Sequence, residues 1–434
     1  MEKKILQVIT LGCSKNTVDT EHLLAQVQDD YVIMPEDYEG KVDYLLVNTC
    51  GFIGDAKKES IDTIMTAVGR KNAGLADKLI VFGCLAQRYM DQMPGLIPEV
   101  DGWYGARNID PVVKALGGTL KTDMAAHRLR GGRHHAYAYL KISEGCDRRC
   151  SYCAIPFIRG AHKSVPMEKI LEEARILAAD GVKELILIAQ DTTYYGLDLY
   201  KRRALGELLQ KLSEIEEIEW IRIHYSYPDS FPEDVLDQMA TNPKVCRYLD
   251  IPLQHVADKV LDNMHRHVDG AWTRNLIKKM RDKVPGIVLR TTVIVGHPGE
   301  GRYEFEELLQ FAEEARFERL GAFKYSEEEG TYAAENFRDS VTPKTKQSRL
   351  SRLMTLQSGI SFAYNQSRVG SELRVLVDDA SDDILVCRSE FESPEVDGEI
   401  LVKVPAESAQ SYVGKFINVR VTAADEYDLT AEII

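Results

Sequence analysis

No stretch of this sequence approaches the ~20 consecutive apolar residues that a membrane helix needs. The opening Met1-Glu2-Lys3-Lys4 and the short strand-like run behind it lack the longer apolar core of a secretory signal, so a cytoplasmic protein with no membrane role is expected. Cysteine is scarce, eight in 434 residues. In a reducing compartment those thiols stay unpaired, which disfavours a disulfide framework and favours metal binding or catalysis. Internal repeats and low-complexity tracts are missing. Positive charge is in short supply, with 54 Lys and Arg against 68 Asp and Glu and a net charge of −14. That balance argues against a general nucleic-acid binder. What is present, 44% hydrophobic and 28% charged residues, is enough for ordinary globular cores.

Three segments follow from the pattern. In the first, 1–125, strand-like runs end three times in a cysteine-bearing turn. Lys4-Ile5-Leu6-Gln7-Val8-Ile9 leads to Cys13, Asp43-Tyr44-Leu45-Leu46-Val47 to Cys50, and Lys78-Leu79-Ile80-Val81-Phe82 to Cys84. Helix-like stretches follow at 17–28, 55–70 and 86–93, so a parallel α/β sheet is expected, with its crevice at the strand ends where all three cysteines lie. A polar linker over 121–134 contains Gly131-Gly132. The second segment, 132–363, offers strands at 137–143, 184–189, 220–226, 249–254, 289–296 and 320–326. Helices are expected at 167–179, 231–239, 272–283 and 303–315. Six βα units in a row predict an incomplete (βα)6 barrel with its chemistry at the strand C-termini. After a polar connecting helix over 343–365, the third segment, 366–434, has short β runs at 373–377, 384–388, 399–404 and 416–422 that predict a small, partly open β-barrel. It holds fifteen acidic and six basic residues, a net −9. Such a module suits a basic partner or serves as a solvated face, and Asp378, Asp379, Asp382 and Asp383 are its most concentrated charges.

The strongest local signal is Glu144-Gly145-Cys146-Asp147-Arg148-Arg149-Cys150-Ser151-Tyr152-Cys153. Three thiolates spaced C-x3-C-x2-C reach three corners of a 4Fe–4S cube and leave one iron open. An electron-transfer ferredoxin would supply a fourth cysteine, and none follows within about ninety residues. Zinc would want a fourth ligand of suitable spacing, also missing. No spacing rule joins Cys13, Cys50 and Cys84. Their shared place at strand ends makes a second three-cysteine cluster the preferred reading, although each alone would more often be a small buried side chain than a ligand. Cys246 and Cys387 are expected to be packing residues, His134-His135 and His265-x-His267 surface histidines. Gly296-His297-Pro298-Gly299-Glu300 lacks the Lys-Ser/Thr of a phosphate loop and is expected to end a barrel strand.

The cysteine spacing, Tyr152 before the last cysteine and the βα setting resemble the radical S-adenosylmethionine enzymes. The whole chain is similar to the methylthiotransferase family. The matching motifs are Leu11-Gly12-Cys13-Ser14-Lys15-Asn16, Val47-Asn48-Thr49-Cys50-Gly51-Phe52-Ile53, Gly83-Cys84-Leu85, Ile155-Pro156-Phe157-Ile158-Arg159-Gly160, Gln190-Asp191-Thr192 and Val295-Gly296-His297-Pro298-Gly299-Glu300. The resemblance implies a cluster-bearing N-terminal domain, a radical barrel and a C-terminal TRAM domain. It implies two 4Fe–4S clusters, held by Cys146, Cys150 and Cys153 and by Cys13, Cys50 and Cys84, with S-adenosylmethionine as cofactor. One cofactor molecule would methylate a sulfur at the auxiliary cluster, and a second would yield the 5′-deoxyadenosyl radical. Tyr152 is expected to border the adenine. Gln190 and the Val295-Gly296 turn are expected near ribose and adenine, or else only to pack and close turns.

Two branches of the family compete: MiaB-type enzymes that modify an adenosine of tRNA, and RimO-type enzymes that modify the β-carbon of an aspartate in small-subunit ribosomal protein twelve. Ser143-Glu144-Gly145-Cys146, Arg222-Ile223-His224-Tyr225-Ser226-Tyr227-Pro228 and Tyr248-Leu249-Asp250-Ile251-Pro252-Leu253-Gln254-His255 resemble the protein-modifying branch. The acidic third segment points the same way, since a tRNA-binding domain should be basic and a ribosomal protein is a basic partner. The chain departs from the family at His297, Val165 and His265-Arg266-His267. Expected partners are therefore ribosomal protein twelve, met on or near the ribosome, and an unspecified electron donor, with the enzyme a monomer. The reading from another class is an iron–sulfur electron carrier without turnover.

Overall fold

The computed structural model describes residues 3–130 and 136–434. Gly131-Gly132 of the expected linker and His134-His135 lie outside the described residues. The first sheet holds β1 (Lys4–Thr10), β2 (Tyr31–Met34), β3 (Val42–Thr49), β4 (Ala76–Gly83) and β5 (Gly102–Tyr104) in the order β2-β1-β3-β4-β5, all parallel. The β1, β3 and β4 strands are adjacent, with Thr10 opposite Asn48 and Thr49 opposite Gly83. Their carboxyl ends are therefore level. The expected helix over 86–93 is broken into Cys84–Arg88 and Met93–Leu96, with Pro94 in the first turn of the second piece.

The central body begins at β6 (Tyr137–Lys141). A short antiparallel ribbon, β7 (Ser143–Glu144) with β8 (Lys163–Ser164), frames the cysteine loop. Then come β9 (Glu184–Ile188), β10 (Trp220–Ile223), β11 (Val245–Asp250), β12 (Val288–Val295) and β13 (Arg319–Lys324), six parallel strands in chain order counting β6. Strict chain order with right-handed crossovers puts the helices on one face. There Leu185, Leu187, Ile221, Ile223, Leu249, Val293 and Val295 meet Leu177, Leu208, Met280, Phe305 and Leu308 in the main core. Alternate residues look into the open interior of the partial barrel. The strand expected at 249–254 sits at 245–250 and stops before Pro252, which could not donate to a ladder.

The C-terminal body comprises β14 (Glu372–Ser381), β15 (Ile384–Arg388), β16 (Ile400–Lys403), β17 (Phe416–Ala424) and β18 (Leu429–Ile433). It is a closed barrel, not the partly open one expected from sequence. Closure comes from β18, which runs antiparallel to β17 and parallel to β16. The helix before it, Pro343–Ser367, starts with Thr342 accepting from the Thr345 N–H at 3.2 Å.

Residues 389–397, between β15 and β16, enter the lower end of the central barrel. Arg222, fully buried, donates to Glu184 at 2.7 Å and to the Glu390 carbonyl at 2.8 Å. The Tyr248 hydroxyl donates to Asp397 at 2.6 Å, and Ser393 lies 2.8 Å from His224 Nε2. Glu395 accepts from the Tyr137 and Tyr139 hydroxyls. Asp378 is bonded to buried Arg388 and is only 12% exposed, so it is no surface probe. The outward acidity of this domain rests on residues such as Asp379, Asp382, Glu399, Glu407, Asp425, Glu426 and Glu432.

Glu392 lies buried between Arg368 and Arg319. Burial alone would raise its pKa, but the two guanidiniums bring it from 4.5 down to about 2. Its stabilising contribution is complete above the ordinary carboxylate range and is lost as pH falls through about 2. In urea titrations at successive pH values, the wild type should lead Glu392→Gln near neutrality. The gap should narrow steadily below the ordinary value of 4.5.

Candidate active site

Cys13, Cys50 and Cys84 stand just past the level ends of β1, β3 and β4. Gly12 makes their approach possible. It sits at φ +94°, and a Cβ there would fall 2.7 Å from Cys50 Cβ and 2.9 Å from its Sγ. Cys13 precedes the helix Ser14–Val27, and Cys84 begins the helix Cys84–Arg88. Arg159, from the helix Ile155–Arg159 of the central body, donates to Cys84 Sγ at 3.3 Å and to Asn16 Oδ1 at 2.6 Å. The same guanidinium pairs with Asp19 at 2.7 Å and Glu144 at 3.2 Å. Lys141 pairs with both of those carboxylates as well.

Cys146, Cys150 and Cys153 lie in the loop between β7 and β8, all half-buried. Gly145 turns the chain into this loop at φ +76°, and any Cβ there would meet the Ala161 carbonyl oxygen at 2.1 Å. The loop is pinned by Cys146 N–H to the Gly160 carbonyl at 3.0 Å, and by Ser151 N–H and Oγ to the carbonyls of Met264 and Asn263. Cys150 Sγ lies 3.7 Å from the Tyr227 hydroxyl and 3.6 Å from Arg266 Nη1. Arg148, stacked on Tyr227, is held by Asp191 at 2.9 Å and Asp229 at 2.7 Å.

All eight cysteines are free. Burial pushes the Cys84 and Cys146 thiols up to about 12, so near neutrality they give up their protons only to a metal. Among the described residues no three His, Cys, Asp or Glu side chains gather tightly enough for one metal ion. A 4Fe–4S cube takes each thiolate on a different iron, so two sets of three free, soft sulfur donors suit such clusters. Cys246 and Cys387 are fully buried among apolar neighbours.

The residues expected at the cofactor fall into two groups. Tyr152 packs beside Ala257, Val260 and Met264, edge-on to His297 at 6.2 Å. Gln190 donates to Glu144 at 2.8 Å, and its buried Oε1, like that of Gln254, has no partner among the described residues. Those two oxygens are free acceptors for a polar ligand. Val295, by contrast, turns its side chain into the helix-facing core, and the Gly296 N–H is taken by Glu300 at 2.8 Å. Lys15, Arg148, Arg159, Gln254 and Arg266 were not singled out as site residues from sequence. A surface groove of about 780 Å³ past Glu306, Gln310, Glu313 and Arg352 touches neither cysteine triad.

Comparison with known proteins agrees with this architecture. The Radical SAM superfamily matches residues 140–312, the TRAM domain 369–434, and the Uncharacterized protein family UPF0004 residues 5–105. The ribosomal protein uS12 methylthiotransferase RimO of Phocaeicola vulgatus is 47% identical over 435 residues, covering 100% of both chains. Its counterpart in Bacteroides thetaiotaomicron is 48% identical over 100% of this chain and 99% of its own. That of Cytophaga hutchinsonii is 46% identical over 100% and 98%. The chain belongs to the RimO methylthiotransferase family. Among solved structures, the radical S-adenosylmethionine methyltransferase TsrM of Kitasatospora setae superposes on this RimO-family chain with a TM-score of 0.56. It is 13% identical and covers 77% of this chain and 74% of its own. OxsB, a cobalamin-dependent radical enzyme, gives 0.51 at 13% identity, covering 82% of this chain and 56% of its own. These likenesses concern the fold.

Gly145→Ala offers a test of the RimO-family loop. The added methyl cannot fit at 2.1 Å from a backbone oxygen, so the loop must shift. Anaerobically reconstituted variant should lose about half its iron, whereas an equivalent Gly321→Ala control, where a Cβ meets nothing within 4 Å, should keep it all.

Proposed function

We propose that this protein methylthiolates the β-carbon of an aspartate in ribosomal protein uS12. The observation that carries the reading is the meeting of two free cysteine triads, from two separate sheets, around a shared buried set of Arg159, Lys141, Asp19 and Glu144. We assign Cys146, Cys150 and Cys153 to the cofactor-binding 4Fe–4S cluster, and Cys13, Cys50 and Cys84 to an auxiliary one. With S-adenosylmethionine, these groups would supply a 5′-deoxyadenosyl radical and a methylated sulfur, the chemistry an unactivated C–H bond requires. The chain's own part is placement. Gly12 and Gly145 bring the sulfurs into position, Arg159 holds the N-terminal sheet against the barrel, and Tyr152, Gln190 and Gln254 offer an aromatic wall and two open acceptors to the cofactor.

Work is divided among 1–125 with the auxiliary cluster, 132–363 with the radical centre, and 366–434 as the docking module for a basic protein. The chain acts as a cytoplasmic monomer on uS12, on or near the ribosome. No helix among the described residues is long and apolar enough to cross a membrane.

Reconstituted wild type should bind about eight iron atoms per chain, and either triple-alanine variant about four. The Cys146/Cys150/Cys153 variant should release no 5′-deoxyadenosine. The Cys13/Cys50/Cys84 variant should release it yet transfer no methylthio group to uS12, as read by mass spectrometry. Unchanged iron in either variant overturns the corresponding assignment.

Charge reversal at Asp379, Asp382, Asp425 and Glu426, which are exposed, should weaken uS12 binding and flatten its salt dependence. Asp378 must be spared because Arg388 depends on it. Binding of tRNA in place of uS12 would move the protein to the tRNA-modifying branch.

A further inference from the structure

One buried cation at the barrel mouth has no anion. Lys15 lies in the first turn of the helix Ser14–Val27, 8% exposed. Its Nζ sits 3.1 Å from the centre of the Tyr225 ring. No carboxylate among the described residues pairs with it, and the face of Tyr225 is the partner of its ammonium.

Most neighbouring charged groups already have partners. Asp19 and Glu144 serve Lys141 and Arg159, Asp191 and Asp229 serve Arg148, and Arg266 faces Cys150 Sγ. Asp250 takes Arg290 at 2.9 Å on one oxygen and the Tyr225 N–H at 2.9 Å on the other. Glu395 accepts from the Tyr137 and Tyr139 hydroxyls, and no ion pair among the described residues joins it to Lys15.

Its direction is fixed by the helix. Val18, one turn on along the same face, enters among Tyr137, Tyr139, Ile186 and Ile188 of the barrel interior. Lys15 therefore enters the mouth on the same side. Tyr225, its platform, is held at φ +59°, a conformation that costs a non-glycine residue energy and persists where the surroundings enforce it.

We propose that Lys15 is the receptor for the side-chain carboxylate of the substrate aspartate, and that this ion pair positions the β-carbon for hydrogen abstraction. The proposal rests on the preceding reading that an aspartate is the substrate. That carboxylate is bonded directly to the β-carbon, so anchoring it fixes the reacting atom. A lysine ammonium is a point charge with three donors and fits one carboxylate without demanding bidentate geometry. Asparagine has the same shape without the charge, and would leave Lys15 unneutralised.

The test measures binding of purified uS12, with Asp or Asn at the modified position, to the reconstituted enzyme by fluorescence anisotropy. Wild type should prefer the aspartate form by about tenfold or more. Lys15→Met should erase that preference by weakening the aspartate form alone, and Lys15→Arg should recover part of it. Wild type that binds both forms equally overturns the proposal without reference to any variant. So does a Lys15→Met enzyme that keeps its preference, or one that loses affinity for S-adenosylmethionine and not for uS12, which would give the lysine to the cofactor. Wild type that modifies no aspartate of uS12 sinks the functional reading, and this proposal with it. Modification of the aspartate form combined with equal binding sinks this proposal alone.

Discussion

Asp19, set between Lys141 and Arg159, is the tie on which the geometry of both cysteine sites depends. It belongs to the N-terminal sheet's first helix, while its two cations belong to a barrel strand and to the helix after the cysteine loop. Glu144, immediately before the loop turns at Gly145, shares the same two cations. Breaking such a buried set by removing one member costs about 3–5 kcal/mol, because a charge is left uncompensated. Its value here is less in stability than in registration. The guanidinium that anchors to Asp19 also touches Cys84 sulfur and Glu144, two residues before Cys146, so one rigid planar group ties the N-terminal triad to the start of the cysteine loop.

Much of this was legible in the sequence. The spacing of Cys146, Cys150 and Cys153 marked one loop that holds three free cysteines, and the βα alternation located five of the six barrel strands closely and set the sixth, β11, four residues too late. The level ends of β1, β3 and β4 were inferable because each cysteine follows its strand closely. Three short strands escaped, β2, β5 and β18, of four, three and five residues. Missing β18 made the C-terminal barrel look open. The alternation along β12 puts the Val295 side chain on the same face as Val293, toward the helices, so only the backbone of the Val295-Gly296 turn is left to face a cofactor.

Charge was the least readable property. A net −9 over 366–434 says nothing about which acids look outward. Asp378, Glu392 and Asp397 instead face Arg388, Arg368, Arg319, Arg290 and Tyr248, while Glu395 stays exposed yet accepts from Tyr137 and Tyr139. Lys15 was invisible for a related reason. In the sequence it stands before the helix expected over 17–28, and only the tertiary fold shows that this helix delivers it to the barrel mouth, with no carboxylate among the described residues paired to it.

The segment 389–397 has a further consequence. Through Arg222, His224 and Tyr248 it ties the C-terminal barrel to side chains at the central strands β10 and β11. A partner held on the outer face of that domain would thereby be held in a fixed relation to those strands, so docking there would orient a substrate as well as recruit it.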